Sequence, residues 1–86
     1  MAIPENFTAT AIAWGASSIK IEWNASAGAM TYRVFRDTVD VSGELRNLSK
    51  WVDVGVSNGS YEYVVTAYNE TGDTDSNTIS ITKGLS

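Results

Sequence analysis

The sequence predicts an all-β domain built as a two-sheet antiparallel sandwich. Apolar and polar residues alternate along the chain, as in residues 19–23, where Ile19, Ile21 and Trp23 share one face and two charged residues share the other. Turn-forming residues separate seven such segments at intervals of about 8–12 residues. Residues 59–69 are rich in β-branched and aromatic residues and are bounded by glycines, which indicates a central strand.

The first half of the chain contains four of the predicted strands. Pro4 precedes a predicted first strand at 7–11. A proline is tolerated at the start of an edge strand, because no ladder hydrogen bond needs its missing N–H there. In the third strand the alternation places Tyr32 and Val34 towards the core. The predicted bounds are 7–11, 19–23, 31–36 and 39–41.

The second half adds three strands. Residues 42–49 carry the least pattern and are interpreted as a connection between the sheets, with a helical turn over 44–48 as the alternative. Trp51, Ile79 and Ile81 are predicted to face inward. The predicted strands are 50–54, 59–69 and 77–82, with a loop at 70–76.

Composition excludes several classes of function. The 86 residues include no cysteine, so the core must stabilise the domain without disulfides. The net charge is −4 and the six basic residues are scattered, which argues against nucleic acid and anionic membranes as partners. No apolar run approaches the roughly 20 residues of a spanning helix. The start lacks a signal-peptide pattern, so any export signal is expected outside this segment.

One set of positions recurs in a fixed order and spacing along nearly the whole chain: Pro4, Phe7, Trp23, Tyr32, Arg33, Val34, Arg36, Asp37, Asp53, Val56, Tyr61, Tyr63, Val65, Ala67, Asn69, Gly72, Ser76, Asn77 and Ile79. In this order and spacing the chain resembles a fibronectin type III domain. The Arg36-Asp37 turn and the Asn-x-x-Gly at 69–72 resemble the variants fused to secreted bacterial and archaeal enzymes.

This resemblance implies an immunoglobulin-like sandwich of seven strands, with A, B and E in one sheet and C′, C, F and G in the other. It also makes Trp23 and Tyr61 core residues. Tyr61 follows an Asn-Gly turn, which suits a corner where the ring is buried and the hydroxyl bonds a backbone group upstream. Some family members bind integrins through Arg-Gly-Asp, but residues 71–73 read Thr-Gly-Asp, so that activity is not expected.

Catalytic and metal sites are not predicted. The chain has no histidine and no cysteine, so the commonest general base and two nucleophile systems are missing. The pairs Asp73 with Asp75 and Asp37 with Asp40 are interpreted as turn formers. Asp73 and Asp75, with Glu70 and Asn77 nearby, could supply oxygen ligands to calcium, but a polar loop is the favoured interpretation. No cofactor is expected, and the prediction is a non-enzyme.

A candidate contact face lies on the outside of the C–F–G sheet. Its apolar and aromatic composition with one arginine is typical of protein interfaces. It could pack against a neighbouring domain, bind a protein, or stack on a sugar, while the alternative is ordinary cross-strand pairing. Trp14 is interpreted as a packing lid or, second, as a ligand platform. The predicted contact residues are Arg33, Phe35, Val64, Thr66 and Tyr68.

Glycosylation triplets are more frequent than chance predicts. Five of the six asparagines open an Asn-x-Ser/Thr triplet, where about one would be expected. The same residues also suit plain turn chemistry. The candidate sites are Asn6, Asn24, Asn47, Asn58 and Asn69.

The sequence therefore predicts a single domain at 1–86, a segment of a larger secreted or cell-surface protein. Its expected role is non-catalytic spacing or docking of neighbouring domains, such as catalytic domains acting on polysaccharide. The alternative is a module that binds a protein or polysaccharide through the C–F–G face or the end loops, including an engineered binder. We expect a monomer.

Overall fold

A computed structural model describes residues 2–15, 17–46 and 48–83. These residues form eight strands and no helix, and they therefore contain no membrane-spanning helix. The strands are β1 (Ala9–Ala13), β2 (Ser18–Trp23), β3 (Thr31–Arg36), β4 (Val39–Asp40), β5 (Lys50–Val54), β6 (Gly59–Tyr68), β7 (Asp73–Asp75) and β8 (Ile79–Lys83).

Two antiparallel sheets pack face to face. One sheet has the order β1-β2-β5, and in the other β4, β3 and β6 are neighbours while β7 and β8 both pair with β6. Every strand pair is antiparallel. This arrangement confirms the predicted division into A-B-E and C′-C-F-G.

The predicted loop at 70–76 is wrong in its second half, because it contains β7. The register pairs Thr66 with Asp75 and Tyr63 with Ile79, so two residues of β6 oppose three residues, 76–78. One extra residue on one strand is a β-bulge. Ser76 holds it, since its N–H donates to the Val65 carbonyl at 2.7 Å and its hydroxyl accepts the Val65 N–H at 3.0 Å. β7 and β8 are thus two parts of one strand, interrupted by the bulge at 76–78. Counted separately, they raise the number of strands from the predicted seven to eight.

Two smaller predictions are also corrected. The first strand begins at Ala9, two residues later than predicted. The helical turn considered for 44–48 does not occur in the described residues of that segment. Instead Leu45 forms a β-bridge with Tyr32, with reciprocal backbone hydrogen bonds of 2.8 and 2.9 Å.

The core lies between the sheets and follows the predicted alternation. Ile19 and Ile21 of β2, Val34 of β3, and Tyr63 and Val65 of β6 are fully buried. Apolar area of this kind is the main favourable contribution to folding, at about 25 cal/mol per Å² removed from water. Because the inward residues of both sheets meet at this layer, the outward residues are left available for contact.

Tyr61 confirms the predicted corner in part. Its hydroxyl donates a hydrogen bond to the Ser57 carbonyl at 2.6 Å, four residues upstream. The ring is half-buried, where a buried ring was predicted, and it packs against the edge of the core. Trp51 likewise faces the core but is half-buried.

The two ends of the described chain lie at opposite ends of the sandwich. Near the N-terminus, the Ala2 carbonyl accepts a hydrogen bond from Asn69, just beyond the end of β6. Near the C-terminus, Lys83 pairs with Gly59, at the start of the same strand. The ten residues of β6 therefore separate the two ends, in a molecule measuring 47 × 19 × 19 Å.

Candidate contact face

The structure brings the five predicted contact residues together on the outer face of the five-stranded sheet. The β3–β6 register places Arg33 beside Thr66 and Phe35 beside Val64, while Tyr68 lies further along β6 on the same face. Thr66 is buried and the other four are half-buried. Period-two geometry explains this, because alternate residues of paired strands share a face.

Four of these five residues line a shallow depression of about 470 Å³. Its floor is formed by Phe35, Val64, Thr66 and Tyr68. Its rim carries four carboxylates, from Asp37, Glu62, Asp73 and Asp75, with Thr38 and Thr78 completing it. We call these ten residues the acidic groove.

Arg33 lies on the face but outside the groove. Its guanidinium donates to the Asp40 carboxylate at 2.6 Å, towards the β4 edge. This hydrogen bond raises the pKa of Arg33, while the Gly43 N–H and then Arg33 lower the pKa of Asp40. The arginine predicted to serve a partner therefore already has one within the chain.

The acidic rim is fixed by hydrogen bonds to the sheet. The Thr66 hydroxyl donates to Asp75 at 2.8 Å, and the Glu62 N–H donates to Asp37 at 3.0 Å. Asp37 and Thr38 form the turn between β3 and β4 with φ of 50° and 70°, the left-handed pair that a two-residue hairpin requires. Burial, and then the charge of Asp73, raise the pKa of the Tyr68 phenol at the floor.

The sequence does not predict Asp73 and Asp75 on this rim, because residues 70–76 have the composition of a loop. As part of β7, Asp73 and Asp75 pair with Tyr68 and Thr66, which places their side chains on the outer face. The signal that could have found them was their spacing of two residues, which is strand periodicity.

One of the four residues considered as calcium ligands already has partners within the sheet. Asn77 is engaged by β1, because its amide accepts the Ala9 N–H at 2.8 Å and donates to the Ala9 carbonyl at 3.0 Å. Within the described ranges, no group of three or more Asp, Glu, His or Cys side chains is arranged to hold a metal ion.

The candidate glycosylation sites differ in their surroundings. Asn6 and Asn58 are exposed, and Asn24 is exposed with its amide donating to the Thr8 hydroxyl at 2.8 Å. The Asn69 amide donates to the carbonyls of Ala2 and Gly28, so a glycan, which replaces one of the two hydrogens on that nitrogen, would remove one of these bonds. Asn47 lies outside the described residues.

Trp14, considered as a lid or a platform, lies beyond the end of β1. It is half-exposed, and the Lys20 ammonium lies 4.5 Å from the centre of its ring. This cation–π contact covers one face of the indole.

A buried polar cluster was also missed. The Asp53 carboxylate, on the inner face of β5, accepts hydrogen bonds from Arg36 at 2.6 Å and from the Tyr63 hydroxyl at 2.7 Å. The Arg36 guanidinium also lies 5.7 Å from the Tyr61 ring centre. We call these four residues the Arg36 cluster. It joins β3, β5 and β6 and so ties the two sheets together.

The cluster predicts a specific loss of stability at high pH. Burial, and then the hydrogen bond to Asp53, raise the pKa of Tyr63 well above its ordinary value of 10. The stabilisation that Tyr63 contributes is therefore complete below pH 10. It is lost progressively above pH 10, where the Tyr63 phenol ionises in the unfolded chain but stays protonated in the folded one. We expect the free energy of unfolding to fall by up to about 1.4 kcal/mol per pH unit from this residue.

Urea unfolding of wild type and Tyr63→Phe between pH 8 and 11.5 measures this effect. The variant is expected to be less stable at pH 8, and the difference should shrink as the pH rises above 10. Parallel profiles for the two proteins would contradict the assignment. Phe35→Leu is the control, because it changes a ring on the outer face without removing an ionisable group, so its profile should run parallel to that of wild type.

Solved structures of similar fold include both isolated modules and parts of enzymes. The crystal structure of FN3tt matches with a TM-score of 0.80 and 20% identity, covering 95% of this chain and 96% of that one. A Fn3-like protein from Clostridium thermocellum matches with a TM-score of 0.73 and 26% identity, covering 99% and 96%. A beta-1,2-glucanase from Parabacteroides distasonis matches with a TM-score of 0.76 and 22% identity, covering 99% of this chain and 14% of that one. No protein-family model and no curated protein matches the sequence.

Proposed function

We propose that this chain, a domain of the fibronectin type III fold, serves as a non-catalytic spacer in a larger secreted or cell-surface protein. The observation that carries the proposal is the position of the two chain ends at opposite ends of a 47 Å sandwich. A rigid unit connected in this way fixes the distance and the orientation between the domains that precede and follow it.

Both ends are anchored to the sandwich. At the N-terminal end the Glu5 N–H donates to the Ala27 carbonyl at 3.0 Å, and the Thr74 hydroxyl donates to the Pro4 carbonyl at 2.6 Å. At the C-terminal end the β6–β8 ladder continues to Lys83. Forces or rotations applied at either end are therefore transmitted to the sheets.

The enzyme context is supported by similar structures. This fold occurs as 14% of the beta-1,2-glucanase chain and as 29% of the chain of a spore cortex lytic enzyme from Clostridium perfringens. We propose that this chain also adjoins a carbohydrate-active domain and that it lies outside the cell. The absence of histidine and cysteine from the sequence supports a role without catalysis.

A second candidate function, polysaccharide binding, is suggested by the half-buried aromatic rings of Phe35 and Tyr68 in the groove. Sugar rings stack on such surfaces. The four rim carboxylates argue against it, because a neutral sugar would have to desolvate them without supplying a compensating charge.

Co-sedimentation with insoluble polysaccharides tests the spacer against this alternative. We expect the wild-type domain to stay in the supernatant with cellulose, chitin and insoluble β-glucan, as does Phe35→Ala/Tyr68→Ala. Saturable binding that is lost in the double variant would establish a stacking platform at this face and would contradict a role limited to spacing.

A further inference from the structure

We infer that the acidic groove binds an extended polypeptide segment that carries lysine or arginine side chains. The inference goes beyond the spacer role, since a domain can set a distance whether or not its outer sheet face is occupied. The groove combines uncompensated negative charge, an apolar floor and a strand-like length, and each of these properties restricts the ligand.

The rim charges have no basic partner among the residues that the structure describes. All three arginines form ion pairs elsewhere: Arg33 with Asp40, Arg36 with Asp53, and Arg46 with Glu44. Within the described ranges, no lysine or arginine nitrogen lies within 4.0 Å of the four rim carboxylates. Four negative charges therefore lie around one depression on a chain whose net charge is −4.

The charge favours a cationic partner. Lysine and arginine nitrogens form hydrogen bonds with carboxylates that are roughly twice as strong as neutral ones. An anionic ligand would be repelled, and a neutral ligand would leave the carboxylates without compensation. A polypeptide supplies such cations at regular spacing, as well as backbone N–H groups for Asp73 and Glu62.

The floor favours long side chains over a free ion. Phe35, Val64 and Tyr68 are half-buried and present apolar surface between the carboxylates. Lysine and arginine can lie with their methylene groups on such a surface while the charged end reaches the rim. The Tyr68 ring adds a cation–π partner.

The length of the groove predicts the spacing of the basic residues. Asp37 bonds to Glu62 at one end, and Asp75 pairs with Thr66 towards the other. Glu62 and Thr66 are four residues apart on β6, which corresponds to about 13 Å in a strand. In an extended peptide, residues i and i+4 share a face and span the same distance. We therefore expect basic residues at i and i+4, with an apolar residue at i+2.

Titration of the ¹⁵N-labelled domain with a nine-residue peptide tests the inference. The probe carries lysines at positions 3 and 7 and leucine at position 5, with serine and glycine elsewhere. We expect backbone amide shifts confined to β3, β6 and β7, with a dissociation constant in the range of about 0.1–1 mM, as for small flexible ligands. Raising the salt from 20 to 300 mM is expected to weaken binding about tenfold.

Two variants of equal charge change localise the binding. Asp73→Asn/Asp75→Asn removes two rim charges while keeping an oxygen that can accept the Thr66 hydrogen bond, and we expect at least about fivefold weaker binding. Glu5→Gln/Glu22→Gln removes two charges away from the groove, and we expect a change below about twofold. Amide spectra of both variants show whether the fold is retained.

Several results would overturn the inference. These are equal binding of a peptide with glutamates in place of the lysines, shifts outside the groove, no binding at millimolar peptide, or equal weakening in the two variants. Shifts at the groove with a neutral oligosaccharide but not with the peptide would assign the face to sugars. None of these results changes the separation of the chain ends, so a failure here is distinct from a failure of the spacer proposal.

Discussion

Asp53→Ala is expected to lower the free energy of unfolding by about 3 kcal/mol, the largest effect of a polar substitution in this domain. Asp53 is 6% exposed and accepts hydrogen bonds from Arg36 and from the fully buried Tyr63. Its removal leaves a phenol without a partner and a guanidinium without its counter-charge. The Arg36 side chain is 32% exposed, so water partly compensates it, and the expected loss stays at the lower end for a broken ion pair.

Urea unfolding at pH 7 measures this loss, and one further single variant and one double variant apportion it. Tyr63→Phe removes one hydrogen bond and should cost about 1 kcal/mol. The double variant Asp53→Ala/Tyr63→Phe should be more stable than additivity predicts, because the second change removes the group that the first left unpaired. A loss below 1 kcal/mol for Asp53→Ala would contradict the assigned role of the Arg36 cluster.

Against a total stability of about 4–13 kcal/mol for a domain of this size, such a loss is large. The chain has no disulfide to offset it. We therefore expect Asp53→Ala to be partly unfolded at physiological temperature if the wild type lies near the lower limit.

Asn77→Ala is expected to cost about 2 kcal/mol, the second largest effect. The Asn77 amide bonds both backbone groups of Ala9, which is 4% exposed, and so attaches β1 to the bulge between β7 and β8. Without the amide, the Ala9 N–H and carbonyl lose these partners, and each unsatisfied buried group costs about 1–3 kcal/mol. The exposure of Asn77 admits water to both groups, which keeps the estimate at the lower end for two unsatisfied groups.

Two asparagine variants control this prediction. Asn77→Asp can still accept the Ala9 N–H but cannot donate to the Ala9 carbonyl, so its loss should fall between wild type and Asn77→Ala. Asn6→Ala changes an exposed asparagine and is expected to stay within about 0.5 kcal/mol of wild type. Equal stability of Asn77→Ala and Asn6→Ala would show that the amide does not attach β1.

Much of the fold could be predicted because each strand has one buried face. The bounds of β3 and β5 match their predicted ranges, and the predicted inward residues of β2 and β3 are buried in the core. Alternation of this kind can be read from a short stretch of sequence. It also determines which face is buried, because a one-residue slip would expose every apolar side chain. The allocation of each strand to one of the two sheets came from the family resemblance, and the strand pairing confirms it.

The bulge and the Arg36 cluster could not be predicted in the same way. The bulge depends on register between β6 and residues 76–78, and register is set by pairing at long range. Asp53 lies on the inward face of its strand, where alternation alone would exclude a charge. Its burial depends on partners from two other strands, Arg36 and Tyr63, which are distant in sequence.

The candidate contact face was predicted in its floor and missed in its rim. Phe35, Val64, Thr66 and Tyr68 share a face because their strands were recognised. Asp73 and Asp75 were assigned to a loop, so their position beside Tyr68 and Thr66 followed only from the pairing of β7. The change from a mixed patch to an acidic groove changes the partner that we propose.

The separation of the chain ends tests the spacer account most directly. The chain has no cysteine, so Ala2→Cys/Thr82→Cys introduces two unique positions for nitroxide labels, both at exposed residues. Ala2 lies beside Asn69 and Thr82 beside Ser60, at the two ends of a ten-residue stretch that includes most of β6. Double electron–electron resonance is expected to give one narrow distance distribution centred above about 30 Å, the length of ten strand residues. A broad distribution, or a mean below about 20 Å, would contradict a rigid spacer with its two ends on opposite sides.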